Sequence, residues 1–228
     1  DFLALKISYM NDIANLCELV GADITDVAKG MSYDERIGAR FLNAGIGFGG
    51  SCFPKDTKAL KFLAKEHGYQ LKTVEACVDV NSAQKTRLFE KAKERMISFS
   101  GLKVAVLGLT FKAGTDDLRE APSIDNLRLL LEAGADIYAY DPKGAERSKQ
   151  LFPEGKIGQG YMNYVDTIDK ALEHANICFV FTEWPEIRSV TPEEFKKKMH
   201  TSLVYDGRNL YQPSEMKKEG VEYYSIGR

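Results

Sequence analysis

From residue 103 onward, short apolar runs alternate with helix-forming stretches, and that alternation restricts the fold more than any other feature of the chain. Residues 103–107 (Lys-Val-Ala-Val-Leu) form a buried-type strand that stops at Gly108. A helix follows Pro122, with Ile124, Leu127, Leu130 and Leu131 inward and Gly134 ending it. Residues 136–140 read as a second strand ending in Asp141-Pro142, residues 165–174 as helix, and residues 177–181 as strand. Thr191-Pro192-Glu193-Glu194 is a capping box with Pro at the first helical position, opening a helix to about Met199. Residues 203–205 and 221–224 are further strands. Strand–helix–strand alternation predicts a parallel sheet with helices on both faces.

The first hundred residues follow a different pattern. Phe2, Leu5, Tyr9, Ile13, Leu16, Cys17 and Val20 recur at helical spacing, and Gly21 supplies a stop. A short helix is expected over 24–30, further helix over 56–67, and one long helix over 74–97. Residues 31–54 are rich in glycine and aromatics without clean periodicity, which reads as a long folded loop of a kind often functional. The expected fold is therefore α/β, an all-helical domain over residues 1–100 followed by a Rossmann-like parallel-sheet domain over 101–228.

Composition narrows the function classes. Thirty-one Lys+Arg face 33 Asp+Glu in 228 residues, a formal net charge of −2, which removes the electrostatic case for nucleic-acid binding. No apolar run reaches the length of a membrane span. Four cysteines are too few for a disulfide scaffold and show no metal-ligand spacing, so no metal site is expected and a reducing, cytoplasmic compartment fits. Cys17, Cys77 and Cys178 read as buried small hydrophobes. The chain opens on Asp1 rather than Met, which suggests that upstream residues were removed.

Two groups of residues carry possible chemistry. Cys52 lies in Gly49-Gly50-Ser51-Cys52-Phe53-Pro54-Lys55-Asp56, a loop-type setting. Glycines at 45, 47, 49 and 50 let backbone N–H groups approach a ligand, Lys55 favours a thiolate, and Asp56 is placed to hydrogen-bond a water or side chain. The alternative is a glycine-rich turn that happens to hold a cysteine. In the sheet half, Gly108-Leu109-Thr110-Phe111-Lys112-Ala113-Gly114 is not a Gly-x-Gly-x-x-Gly loop, so a dinucleotide fingerprint is absent. Lys112, Arg119 and Arg208 would nonetheless converge beyond the carboxyl ends of the strands, a set suited to a diphosphate. A solvated surface with ion pairs among Asp116, Asp117 and Arg119 fits the pattern equally.

Taken together, these motifs resemble the nucleotide-sugar dehydrogenases. The stretch from Gly47 through Asp56, preceded by Asp34-Glu35-Arg36-Ile37-Gly38 and Phe41-Leu42-Asn43, looks like that family's catalytic loop. Gly108-Leu109-Thr110-Phe111-Lys112, Thr115-Asp116-Asp117-Leu118-Arg119-Glu120-Ala121-Pro122-Ser123, Thr182-Glu183-Trp184 and Asp206-Gly207-Arg208 follow in the family's order. The resemblance implies an NAD-dependent, four-electron oxidation of a nucleotide sugar, UDP-glucose to UDP-glucuronate, with GDP-mannose or UDP-N-acetylmannosamine as alternatives. It makes Cys52 the nucleophile that forms a thiohemiacetal and then a thioester, with Asp56 near the catalytic water. Substrate contacts carry over to Arg36, Phe41, Leu42, Asn43, Gly45, Phe48, Gly49, Phe53, Phe111, Lys112 and Arg208, and cofactor contacts to Lys55 and Arg119. Arg36 would reach a neighbouring subunit's site, making a homodimer through the helical domain. The main NAD-binding domain and the catalytic lysine and asparagine of the connecting helix have no counterpart here, so the chain is expected to be inactive alone. A non-catalytic nucleotide-sugar-binding and dimerisation module is the competing reading.

Overall fold

A computed structural model describes all 228 residues. Five helices come first: α1 (Phe2–Val20), α2 (Ile24–Ser32), α3 (Cys52–Glu66), α4 (Lys72–Lys85) and α5 (Arg87–Arg95). The long helix expected over 74–97 is two, because the chain breaks at Thr86, which caps α4 and starts α5. The helix expected from residue 56 begins four residues earlier, so Cys52 is a helical residue and not a loop residue. Pro54 misleads here: in the first turn of a helix its missing N–H has no partner to lose.

The second half is a seven-stranded sheet. Its strands are β1 (Lys103–Leu107), β2 (Asp136–Tyr140), β3 (Gly155–Ile157), β4 (Gly160–Tyr164), β5 (Ile177–Val180), β6 (Leu203–Asp206) and β7 (Glu222–Tyr224). They lie in the order β3-β4-β2-β1-β5-β6-β7, all parallel except the β3–β4 hairpin at one edge. The parallel sheet is as expected; the hairpin is an addition, and it escapes the sequence reading because Gly155, Gly158 and Gly160 mask its short, half-polar strands. Helices α6 (Pro122–Glu132), α7 (Ala145–Leu151), α8 (Ile168–Leu172), α9 (Pro185–Arg188), α10 (Pro192–Lys198) and α11 (Pro213–Lys218) occupy the connections. The capping box of α10 forms as read, Thr191 and Glu194 satisfying each other's backbone. No helix is long and apolar enough to cross a membrane.

Burial on both sheet faces explains the strand composition. Val104, Val106, Ile137, Ile177, Phe179 and Tyr205 point into one core, while Ala105, Leu107, Cys178, Val180 and Val204 point into another. The first core also takes in Met10, Ala14, Ile24, Ile46, Leu88 and Phe89, so the helices and one sheet face share a single interior. The helices hold a small separate cluster at Ala4, Phe48 and Cys77.

On α1 most of the apolar repeat points outward. Phe2, Tyr9, Leu16 and Val20 are exposed and Leu5 and Ile13 half-buried, and of the repeat only Cys17 joins the buried face made by Ala4, Ser8, Met10, Asn11 and Ala14. Cys17, Cys77 and Cys178 are buried and unpaired, and Cys52 is exposed.

Strand order changes direction between β1 and β5. A ligand crevice in an open parallel sheet lies outside the carboxyl ends of strands at such a point.

Candidate active site

Polar side chains that would otherwise be unwelcome in a helical core hold the glycine-rich loop in place. Asn11 on α1 accepts the Gly45 N–H at 2.9 Å, and Gln84 on α4 donates to the Gly45 carbonyl at 2.8 Å. Asn81, a turn before Gln84, accepts from Phe48 N–H (2.8 Å) and donates to its carbonyl (3.1 Å). The loop's other side is tied to the sheet half: Ile46 N–H donates to the Gly207 carbonyl (2.8 Å) and Gly50 N–H to the Arg119 carbonyl (2.7 Å). Close approach of two backbones is what the glycines permit. A Cβ at Gly45 would sit 2.8 Å from the Gly207 oxygen, and one at Gly50, where φ is +82°, would meet the Phe111 ring at 2.8 Å.

This loop delivers Cys52 to the first position of α3, exposed to solvent. Exposure, together with the partial positive charge of a helix N-terminus, is the environment in which thiols react. Lys55 and Asp56 follow one turn on, both exposed and 3.7 Å apart. Ser51 Oγ lies 3.9 Å from the thiol, too far for a useful bond.

Beside the loop, a cavity of about 340 Å³ opens at the ends of β1 and β5. It is lined by Asn43, Gly45, Phe48, Gly49, Phe53, Phe111, Lys112 and Arg208 of the expected substrate residues, and by Ile7, Glu183 and Arg188. Phe53 packs edge-on to Phe48 with centroids 5.5 Å apart, and Phe41 tilts over Phe53 at 6.4 Å. A second cavity, about 500 Å³, adjoins it through Asn43, Ala44, Arg188 and Arg208 and adds Leu42, Lys29 and Asn209. Arg36 lies apart, bidentate on Asp34 and 89% exposed at its side chain.

Of the three cations expected to converge, Lys112 and Arg208 share the cavity and Arg119 does not line it. Arg119 is instead clamped on Asp117 at 2.7 Å, while its carbonyl holds the Gly50 N–H two residues before Cys52. The ion pair that the sequence allowed between these two residues is real, while Asp116 pairs with Arg147. Arg188 takes the vacant place; its position about one turn past the Glu-Trp pair carries no signal in the sequence.

Arg208 is the best-anchored group. Its guanidinium donates to the carbonyls of Phe181 (2.8 Å) and Phe111 (2.9 Å), stands 3.5 Å from that of Gly47, and pairs with Glu183 at 3.3 Å. Burial pulls its pKa below the usual arginine value, against the opposing pull of Glu183 and Asp206. Asp141, at the end of β2, was not foreseen as a site residue. Its buried carboxylate accepts the N–H groups of Leu109 (2.6 Å), Gly144 (2.6 Å) and Lys143 (2.9 Å) and the indole N–H of Trp184 (3.1 Å), which fixes the loop after β1.

Glu120 sits where the halves meet. Its carboxylate binds Lys58 and Lys85, each at 2.7 Å, and these hydrogen bonds, Lys58 first, lower its pKa to about 2. A lowered carboxylate contributes stability above its unfolded pKa, and that stability is lost as pH falls toward 2. Thermal melts from pH 5 to pH 2.5 are expected to show a falling Tm, with a shallower fall in Glu120→Gln. Parallel curves for the two proteins would show that this contact is not an acid-sensitive one.

A parallel sheet with a cationic crevice at its switch point, beside a cysteine-bearing helix, defines an α/β protein with a candidate ligand site at the carboxyl ends of its strands. Residues 1–83 match the central domain of the UDP-glucose/GDP-mannose dehydrogenase family, and residues 105–213 match that family's UDP binding domain. The chain belongs to the UDP-glucose/GDP-mannose dehydrogenase family. It is 43% identical over 227 residues, all of this chain and 48% of the relative, to the UDP-glucose 6-dehydrogenase TuaD of Bacillus subtilis. It is also 43% identical over 228 residues to a UDP-glucose 6-dehydrogenase of Rhizobium meliloti, covering 51% of it. The fold matches a UDP-glucose dehydrogenase from Pyrobaculum islandicum with a TM-score of 0.86 at 32% identity, over 99% of this chain and 48% of that one. The chain spans about half the length of the curated relatives it matches.

Proposed function

We propose that these residues form the thiol-bearing and nucleotide-sugar-binding part of an NAD-dependent dehydrogenase that oxidises UDP-glucose to UDP-glucuronate. The observation that carries this reading is an exposed cysteine at a helix N-terminus, next to a crevice lined by Lys112, Arg188 and Arg208. Lys112 and the free N–H groups of Arg208 bind the diphosphate, and Phe48, Gly49 and Phe53 surround the sugar near the thiol. Cys52 adds through sulfur to the aldehyde carbon at C6, its proton passing to the new hydroxyl oxygen, and the resulting thiohemiacetal keeps the half-oxidised sugar bound. Loss of a hydride from C6 and of a proton from its hydroxyl turns the thiohemiacetal into a thioester, which water cleaves to the carboxylate and the regenerated thiol, with Asp56 one turn from Cys52 to orient that water. NAD, when bound, takes up one hydride in each oxidation.

The residues present suit contact with a dinucleotide rather than enclosure of one. The loop after β1 spends the N–H groups of Leu109 and Thr110 on Asp141, so they are not offered to a pyrophosphate. Lys55 and Arg119, exposed near Cys52, are placed to touch a cofactor held mainly by another domain. We therefore expect no NADH from this chain, NAD and UDP-glucose alone.

Calorimetric titration tests the substrate. Saturable binding of UDP-glucose with weaker binding of GDP-mannose is expected. Preference for GDP-mannose would move the assignment to that branch of the family, and binding of neither would remove the crevice as a substrate site.

The outward stripe of α1 supports the homodimer. Phe2, Tyr9, Leu16, Leu19 and Val20 are between 52% and 81% exposed, and Arg36 lines a groove on this face with Phe2 and Tyr9. Such a patch on one helix marks an interface. Sedimentation should show a dimer that Leu19→Lys dissociates.

A further inference from the structure

Glu120 joins three pieces of the molecule that the reaction needs in fixed relation. One carboxylate oxygen binds Lys58 on α3, the helix that begins with Cys52; the other binds Lys85 at the end of α4. The residue itself belongs to the sheet half, in the turn between the loop carrying Phe111 and Lys112 and the start of α6. Its backbone adopts φ +55°, a conformation that a residue with a Cβ takes up at a cost of about 1 kcal/mol. The preceding carbonyl, Arg119, accepts the Gly50 N–H, and Glu120's own carbonyl lies against Gly49, closer than any side-chain carbon would allow. The left-handed turn is what aims both carbonyls at the glycine loop.

The two lysines differ in a useful way. Lys85 is 10% exposed at its side chain and Glu120 is its carboxylate partner, so removing the charge leaves a buried cation unpaired. Lys58 is 60% exposed, and a pair of that kind adds little to stability. The Lys58 contact therefore has a geometric consequence that exceeds its energetic one: it registers the first two turns of α3 against the sheet half. Nothing in the reaction scheme above uses either lysine.

We propose that Glu120 is a positioning residue for the thiol, fixing the start of α3, and with it Cys52, against the loop that carries Phe111 and Lys112. The inference rests on the reading of Cys52 as the nucleophile. It does not place Glu120 in contact with substrate. Its effect passes through Gly49, Gly50 and Lys58.

Amide hydrogen exchange on the purified 228-residue chain reads this directly. In Glu120→Gln the Gly50 amide, the one backbone N–H of residues 50–53 that is hydrogen-bonded (to the Arg119 carbonyl), should exchange about tenfold faster, and in Lys58→Met about threefold faster, with β1 amides unchanged in both. Lys61→Met removes a neighbouring α3 cation that pairs with Glu75 at 3.9 Å, and should leave the Gly50 amide within about twofold of the wild type. If Glu120→Gln loosens the whole sheet, Lys58→Met decides the matter, since it disturbs little else. Unchanged exchange at Gly50 in Lys58→Met, or an equal rise in Lys61→Met, overturns the proposal. A second arm follows alkylation of Cys52 by iodoacetamide with and without UDP-glucose. Protection in the wild type that weakens in both variants supports the positioning role. Absence of protection in the wild type would count against the nucleotide-sugar reading, and the exchange data would still decide what Glu120 holds.

Discussion

Replacing Arg208 with Lys abolishes saturable UDP-glucose binding, and replacing it with Met also lowers stability by about 3 kcal/mol. The reason is that one planar group serves three loops at once. Phe181 follows β5, Phe111 follows β1, and Gly47 belongs to the glycine loop; all three carbonyls face the same guanidinium. A guanidinium has five N–H groups in a fixed plane, so three can be spent on carbonyls while one on each terminal nitrogen remains for a phosphate. An ammonium has three donors on a flexible stem and cannot span those positions. Met leaves Glu183 without its cation and the carbonyls unpaired, the costly way to break a half-buried pair. For a chain of this size the loss corresponds to a Tm lower by roughly 6–12 °C. Calorimetry and a thermal melt check both parts. Binding by Arg208→Lys within about threefold of the wild type would show that charge alone, and not the fork, is what the crevice needs.

Strands β1, β5 and β6 were legible because burial on both faces demands nearly uninterrupted apolar residues, and β2 because Ile137 and Ala139 alternate inward between half-buried tyrosines. The same logic fails at α1. There an apolar repeat does mark a helix, but periodicity does not say which face is inward, and the inner face is built mostly of small and amide residues, Ala4, Ser8, Asn11, Ala14 and Cys17, with Met10. Small and amide side chains let α1 lie close to α4 and leave an acceptor for Gly45. Asn81 on α4 makes the same point: its position is inward, but its work is to hold Phe48. Amides at inward positions on two helices, Asn11, Asn81 and Gln84, were the available signal that a loop needed holding. Cys52 was recognised through its neighbours, yet its helical position was hidden by Pro54. Glu120 left no trace beyond membership of a charged run, because its significance depends on Lys58 and Lys85, distant by 62 and 35 positions.

Gly49→Ala should lower UDP-glucose affinity at least tenfold while the chain still folds. The added methyl would lie 2.8 Å from the Glu120 carbonyl carbon, 3.0 Å from Phe111 Cβ, and closer still to the Glu120 oxygen. None of these is the free end of a flexible side chain, so the backbones must part. Overpacking of this kind costs about 1–3 kcal/mol, and losing the Gly50–Arg119 hydrogen bond adds about 1. The contact touches only the margin of the first sheet core, so the fold survives and far-UV circular dichroism should be unchanged. Gly30 provides the contrast: it lies in α2 with open space around its missing Cβ, and Gly30→Ala should stabilise by about 0.5–1 kcal/mol without touching binding. Both substitutions add one methyl, and only one of them separates Phe48 and Phe53 from Phe111 and Lys112. If Gly49→Ala binds UDP-glucose as the wild type does, the crevice does not depend on the contact between the glycine loop and the sheet half. The positions of Cys52 and Lys112 would then be set independently, one by α3 and the other by Asp141.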